Sequence, residues 1–333
     1  MSKSLEEYYQ QLQLPQERLI ELFTMLTDIR RIELKIAELY PQDEMKTPVH
    51  LSLGQEAAAV GVCAHLKKED YIFSNHRSHA HYLAKGGDIK AMIAELYCKE
   101  TGCSRGRGGS MHLIDTSVGH YGSSSIVGGS IPHAVGAAFA SVMQKKDLVA
   151  ISFFGDAASE QGVFFESMAW ASLKKLPVVF VCENNFYSVC SHLTARQINM
   201  DIVKRPRAFD IPAKQIDGMN VLEVYAAAQE AIAHARSGKG PYFIECRVQR
   251  WCGHAGPGDP IKEGYRKQEE LAEGYCRDPL KDFREFLTAK NLVTVEVLKK
   301  IERDCDVKVA EAFKYAQESP LPDAADLEKY LYS

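Results

Sequence analysis

The chain has 333 residues, 46% hydrophobic and 25% charged, a balance that excludes a disordered tail protein and allows a sizeable core. A net charge of -4, with no long run of Lys or Arg, excludes a strong field for nucleic acid. Nine scattered cysteines without a Cys-x-x-Cys pair speak for reduced thiols, and with neither an apolar leader at MSKSLEEYYQQ nor a membrane-length apolar run, a cytoplasmic protein that does not enter membranes is expected.

In chain order, residues 16–39 carry Leu19, Leu22, Phe23, Leu26, Ile29, Ile32 and Ile36 at helical spacing, with Pro15 at the start and Pro41 at the end. Residues 50–66 predict a second helix opening near Gly54-Gln55-Glu56, and DYIFS (70–74) a short strand. Helical spacing returns at 88–98. The glycine-rich TGCSRGRGGSMHLID follows no strand and is neither a dinucleotide fingerprint nor a P-loop. SSSIVGGSIPHAVGAAFASVM (123–143) reads as a small-residue turn feeding a close-packed helix. LVAISFF (148–154), PVVFVC (177–182) and YFIECRV (242–248) are continuous apolar runs, as in strands covered on both faces. The first two flank a helical stretch, giving a βαβ unit with a parallel pair. The expected fold is one α/β domain over residues 1–333, a mostly parallel sheet flanked by helices. Helical segments are expected at about 1–48 and from about 278 to 333.

Both strands of the βαβ unit end in groups able to bind a cation. The first ends at Gly155-Asp156 and the second at Glu183-Asn184-Asn185. Ligands of open α/β sheets sit outside the carboxyl ends of strands. A carboxylate and an amide oxygen there, joined by a backbone carbonyl, suit Mg²⁺, and the helix start after Asp156 offers N–H groups to phosphate. Either dipeptide alone is an ordinary turn; only the pair on neighbouring strands makes a site.

The pair Gly155-Asp156 and Asn184-Asn185 resembles the diphosphate-binding motif of thiamine-diphosphate enzymes. HLSLGQEAAAVGV, SNHRSHAHYLAKG, GRGGSMHL, SIVGGSIPHAVGAA, FFGDAASEQGVFFESMAWASLKKLPVVFVCENNFYSV and GYRKQEELAEGYCRDPL narrow this. In this order, over roughly residues 15–290, they resemble the alpha subunit of the decarboxylating component of 2-oxo acid dehydrogenase complexes. The block around His76 and Lys85 is most similar to the acetoin-type members.

The resemblance implies a thiamine-diphosphate-binding fold and a set of roles. Asp156, Asn185 and the Tyr187 carbonyl would hold Mg²⁺. Arg77, the backbone of Ala157 and Ala158, and His76 (tyrosine in many relatives) would meet the diphosphate. The backbone of Ser125 and Val127 would bond the aminopyrimidine. His254 and His50 would face the cofactor as catalytic histidines, with His79 a third candidate; His65, His120 and His234 receive no role. The substrate would be a small 2-oxo acid or acyloin, and the acyl unit would pass to a lipoyl acyltransferase. The glutamate that activates the cofactor belongs to a beta subunit in this family, so an α2β2 heterotetramer is expected.

Two departures stand out. Ala157 replaces the second glycine of Gly-Asp-Gly; a working turn then requires negative φ at Ala157. Ala255 stands where mammalian relatives carry a regulatory serine, so phosphorylation at this position is excluded. The Gly- and Pro-rich loop from there to Arg266 has the composition of a segment that orders with its ligand. Two rival readings share the half-site: a thiamine-dependent carboligase or transketolase-like enzyme, and a non-catalytic subunit with a decayed site.

Overall fold

The computed structural model describes residues 3–275, 277–326 and 328–329, so Cys276 and the end of the C-terminal segment lie outside the described residues. The apolar runs form the sheet. Strands β1 (Tyr71–Ser74), β2 (His120–Ser123), β3 (Ala150–Gly155) and β4 (Val178–Asn184) are followed by a small antiparallel hairpin, β5 (Tyr187–Ser188) and β6 (Ser191–His192). Strands β7 (Ala213–Asp217) and β8 (Tyr242–Arg247) complete a six-stranded sheet of order β2-β1-β3-β4-β8-β7, with every neighbouring pair parallel.

Continuous apolarity in β3 and β4 has a direct cause: each face meets a different helical layer. Val179 and Val181 join Ile151, Phe153 and Ile244 against the helix Val221–Arg236. Val178, Phe180 and Cys182 join Ala150, Phe154 and Phe243 against the helices Ser130–Met143 and Gly162–Leu173. The crossover Gly162–Leu173 carries the chain from β3 to its neighbour β4, as the βαβ reading expects.

A third core lies outside the sheet. All the stripe residues of the helix Gln16–Leu39 are buried there, against the C-terminal helices Pro279–Ala289 and Val295–Glu318. Arg30 fastens these parts together: it donates to Glu56, pairs with Asp278 at 2.9 Å, and stacks over Trp251 at 4.3 Å.

The helix expected over 50–66 is shorter, Glu56–Cys63. Residues 50–55 form a bent loop instead, because Gly54 has φ +85° and packs against the strand-end segment 249–251. A Cβ at Gly54 would lie 2.4 Å from the Gln249 carbonyl. This close approach brings His50 towards the carboxyl end of the sheet. Close packing recurs where the helices Glu56–Cys63 and Val221–Arg236 cross: a Cβ at Gly61 would meet Val224 at 2.6 Å.

Candidate functional site

The strand order reverses between β1 and β3. From β1 the chain leads outward to β2, and from β3 it leads to β4 on the other side. Such a reversal parts the loops at the strand ends and leaves a crevice. Here Asn75, His76 and Arg77 follow β1, Asp156 follows β3, and Asn185 follows β4, all lining one cavity of about 240 Å³. The bent loop adds His50 and Gln55, and the segment after β8 adds Arg250 and His254.

Asp156 is 1% exposed, and its pKa is raised because burial disfavours the carboxylate, an effect the adjacent Arg196 opposes. Arg196 bridges Asp156 and Glu160, so a guanidinium neutralises this carboxylate. Asn185 donates from Nδ2 to Gln55 Oε1 at 3.1 Å, and its Oδ1 accepts the Tyr187 N–H at 3.1 Å. Phe186, at φ +68°, turns the chain between them. The Tyr187 phenol donates to Glu270 at 2.8 Å; burial first, then Glu270, pushes its pKa up to about 12. The phenol is therefore engaged elsewhere, which leaves the main chain of Tyr187 as its contribution to the cavity.

The turn that replaces Gly-Asp-Gly is unstrained. Residues Asp156–Glu160 form a 3-10 turn, and Ala157 is absent from the positive-φ residues. Alanine thus sits at negative φ, as a working turn requires. Ala157 and Ala158 line the cavity at the start of this turn, which has no side-chain cap on its N–H groups among the described residues. Beside them, a Cβ at Gly155 would meet no atom of the described residues within 4 Å. The space before this turn is open.

Two buried arginines face that space. Arg77, 5% exposed, donates to the carbonyls of Leu51 at 2.5 Å and His254 at 3.2 Å, tying together the two loops that carry the histidines. Burial, then Arg250, pushes its pKa down to about 10, so it remains charged at neutral pH. Arg250, 1% exposed, donates to the Val189 carbonyl at 2.8 Å and Tyr265 Oη at 2.9 Å, while its Nε has no partner among the described residues. Neither arginine has a salt-bridge partner among the described residues. Sequence reasoning missed Arg250, although a charged residue three positions beyond the end of β8 was a usable signal. It also missed Arg196, which carries no sequence signal because its approach to Asp156 depends on the fold of residues 187–205.

The histidines divide. His50, His76 and His254 line the cavity. Burial first, then Arg77, pushes their pKa values down to about 3, 2 and 4, so all three rings are neutral at pH 7. His79 is fully buried outside the cavity lining, with Nδ1 3.1 Å from Glu33 and Nε2 2.7 Å from the Ser110 hydroxyl. Its geometry is that of a post: Glu33 also accepts the Ser52 N–H at 3.2 Å, so His79 helps to hold the His50 loop. Glu183 is 4% exposed, lines the cavity, and lies 3.1 Å from His81 Nε2.

Ser125 and Val127 line the outer rim, where Val127 is 51% and Ile126 73% exposed. The donors fit a metal-diphosphate group. A carboxylate, an amide oxygen and a carbonyl are hard oxygen donors of the kind Mg²⁺ takes. Two buried guanidiniums without described carboxylates match an anion.

The family model of the dehydrogenase E1 component matches residues 24–325. The chain is 38% identical over 317 residues to the alpha subunit of the acetoin:2,6-dichlorophenolindophenol oxidoreductase of Bacillus subtilis (strain 168), covering 95% of this chain and 94% of that one. It is 38% identical over 300 residues to the pyruvate dehydrogenase E1 component subunit alpha of Rhizobium meliloti (strain 1021), covering 90% and 85%. The Porphyra purpurea pyruvate dehydrogenase E1 alpha subunit is 35% identical over 331 residues, covering 97% and 95%. Among the described residues, no helix is long and apolar enough to cross a membrane.

Proposed function

The chain belongs to the dehydrogenase E1 component family, and from that premise we propose that it is the alpha subunit of a thiamine-diphosphate-dependent 2-oxo acid or acetoin dehydrogenase. It works with a beta subunit, and the acyl unit passes to a lipoyl acyltransferase. The observation that carries the site is the meeting of Asp156 and Asn185, from adjacent strand ends, in one cavity with two buried arginines.

In this reading Asp156, Asn185 and the Tyr187 carbonyl hold Mg²⁺. Arg77, Arg250 and the N–H groups of Ala157 and Ala158 take the diphosphate, with His76 beside them. The main chain of Ser125 and Val127 orients the aminopyrimidine. Thiamine diphosphate, when bound, supplies the carbanion-stabilising chemistry of decarboxylation or carbon–carbon cleavage. Neutral His50 and His254 donate or accept one hydrogen bond at the reacting end and can take up a proton there. Being uncharged, they offer a substrate carboxylate a hydrogen bond and no net charge. His79 serves by positioning the loop that carries His50.

The exposed Ile126 and Val127 on the rim favour a second chain covering the site, and an α2β2 tetramer is the assembly we propose. A decayed site is disfavoured by the intact oxygen donors and the unstrained Ala157 turn. The test is calorimetry on the assembled complex with thiamine diphosphate and Mg²⁺, followed by turnover of pyruvate, branched 2-oxo acids, acetoin and sugar ketoses with a lipoyl acceptor. Magnesium-dependent binding with lipoyl reduction by a 2-oxo acid or acetoin is expected. Turnover of ketoses alone would move the chain to the transketolase-like class.

A further inference from the structure

The three neutral imidazoles meet at one wall of the cavity. Ring centroids are 4.7 Å apart for His50 and His76, 5.0 Å for His50 and His254, and 5.3 Å for His76 and His254. One nitrogen from each ring lies within 4.8 Å of the other two. His50, 6% exposed, has no partner on Nδ1 among the described residues, and neither has Nδ1 of His254. Hydrogen bonding within the chain thus does not account for the convergence.

We propose that His50, His76 and His254 form a binding site for a borderline-soft divalent transition metal of the zinc class, separate from the oxygen donors around Asp156. Zinc takes imidazole nitrogen at about 2.0–2.1 Å in tetrahedral geometry, which sets its ligand nitrogens roughly 3.4 Å apart. Closing a set within 4.8 Å to that separation moves each nitrogen by about 1 Å, a displacement on the scale of a small side-chain rotation. Ligation needs a neutral imidazole, and burial already keeps these rings unprotonated, so no proton must leave. Imidazole also discriminates: nitrogen sites take zinc or cobalt well and leave Mg²⁺ to oxygen donors.

Arg77 and Arg250 oppose a bare dication here. Their charge favours an anion as the fourth ligand, such as hydroxide, chloride or a carboxylate, which completes the open three-ligand pattern. His76 completes the set; a tyrosine at this position removes one nitrogen. A metal on this wall occupies space that the cofactor or its substrate would use, so its consequence is reversible inhibition by trace zinc.

The site can be read with Co²⁺ as the probe, on the full chain assembled with its partner subunit. The expected result is one equivalent bound with the intense visible bands of tetrahedral cobalt, displaced one for one by Zn²⁺ and untouched by excess Mg²⁺. His76→Tyr should weaken binding at least tenfold, and His50→Gln should abolish the bands, with circular dichroism and the unfolding midpoint checking that each variant folds. A weak octahedral spectrum, or bands unchanged in His76→Tyr, overturns the proposal. Magnesium-dependent binding of thiamine diphosphate is measured on an aliquot of the same preparation kept free of Co²⁺ and Zn²⁺. Cofactor binding without tetrahedral bands refutes this inference alone; bands without cofactor binding refute the proposed function alone.

Discussion

Gly155→Ala separates the stability of the fold from occupancy of the site. Gly155 has φ -83° and ψ 167°, extended backbone that alanine adopts freely. Restricting the unfolded chain at such a position stabilises by roughly 0.4–1 kcal/mol. In a chain of this size that raises the unfolding midpoint by roughly 0.5–1.5 °C. The added methyl meets no atom of the described residues within 4 Å, so it enters the cavity of about 240 Å³ instead of the core. If the metal-diphosphate group fills that space, the methyl overpacks it at about 1–3 kcal/mol. Affinity then falls roughly 5- to 150-fold. Differential scanning fluorimetry without ligand and calorimetry with thiamine diphosphate and Mg²⁺ give the two numbers. A raised midpoint with unchanged affinity would refute the reasoning, because the cofactor would then lie elsewhere than in front of Gly155.

Three further outcomes are expected. Arg196→Gln leaves a carboxylate that is 1% exposed without its described cation, so the ligand-free protein loses about 3 kcal/mol while Mg²⁺ with thiamine diphosphate restores most of it; equal loss with and without ligand in thermal unfolding means that Arg196 stays on Asp156 in the loaded state. Acid should destabilise the fold through buried neutral histidines. Burial, then His81, pushes His120 down to about 3, and burial pushes His65 down to about 4. Their unfolded forms take up protons below about pH 6.5 while the folded forms do not, so stability is full above that pH and is lost as pH falls towards the folded values. Each contributes about 2 kcal/mol of loss between pH 6.5 and pH 5. His120, with neither ring nitrogen partnered among the described residues, is the cleaner probe: His120→Leu should flatten this limb in urea titrations, and an unchanged slope contradicts the assignment. Finally, this chain alone should turn over far more slowly than the complex with its beta subunit; equal rates would show that the site needs no second chain.

Legibility in the sequence followed burial. Strands β3, β4 and β8 are covered on both faces, so their apolar runs stood out; β7 lies at an edge with Lys214 and Gln215 exposed, and left no run to read. The stripe of the helix Gln16–Leu39 was readable because one face alone meets the core. The opening of the second helix near Gly54-Gln55-Glu56 was legible and the helix begins at Glu56; residues 50–55 stay outside it because Gly54 is committed to a contact with Gln249, far along the chain. At the site, Asp156 and Asn185 were legible because each directly ends an apolar strand. His79 showed the limit of position in a motif: it sits beside Arg77 in sequence, but its ring turns into the Glu33–Ser110 contact. Arg196 reaches Asp156 through loop conformation and packing, which single-chain pattern does not record.

The central claim is that Asp156 anchors a metal-diphosphate cofactor at the ends of β3 and β4. Calorimetry of thiamine diphosphate into the assembled complex, with and without Mg²⁺, tests it on the natural chain and on Asp156→Ala. Magnesium-dependent binding at one cofactor per alpha chain, abolished by Asp156→Ala in a variant that still assembles, is the predicted result. Affinity unchanged by the substitution, or binding indifferent to Mg²⁺, would contradict it.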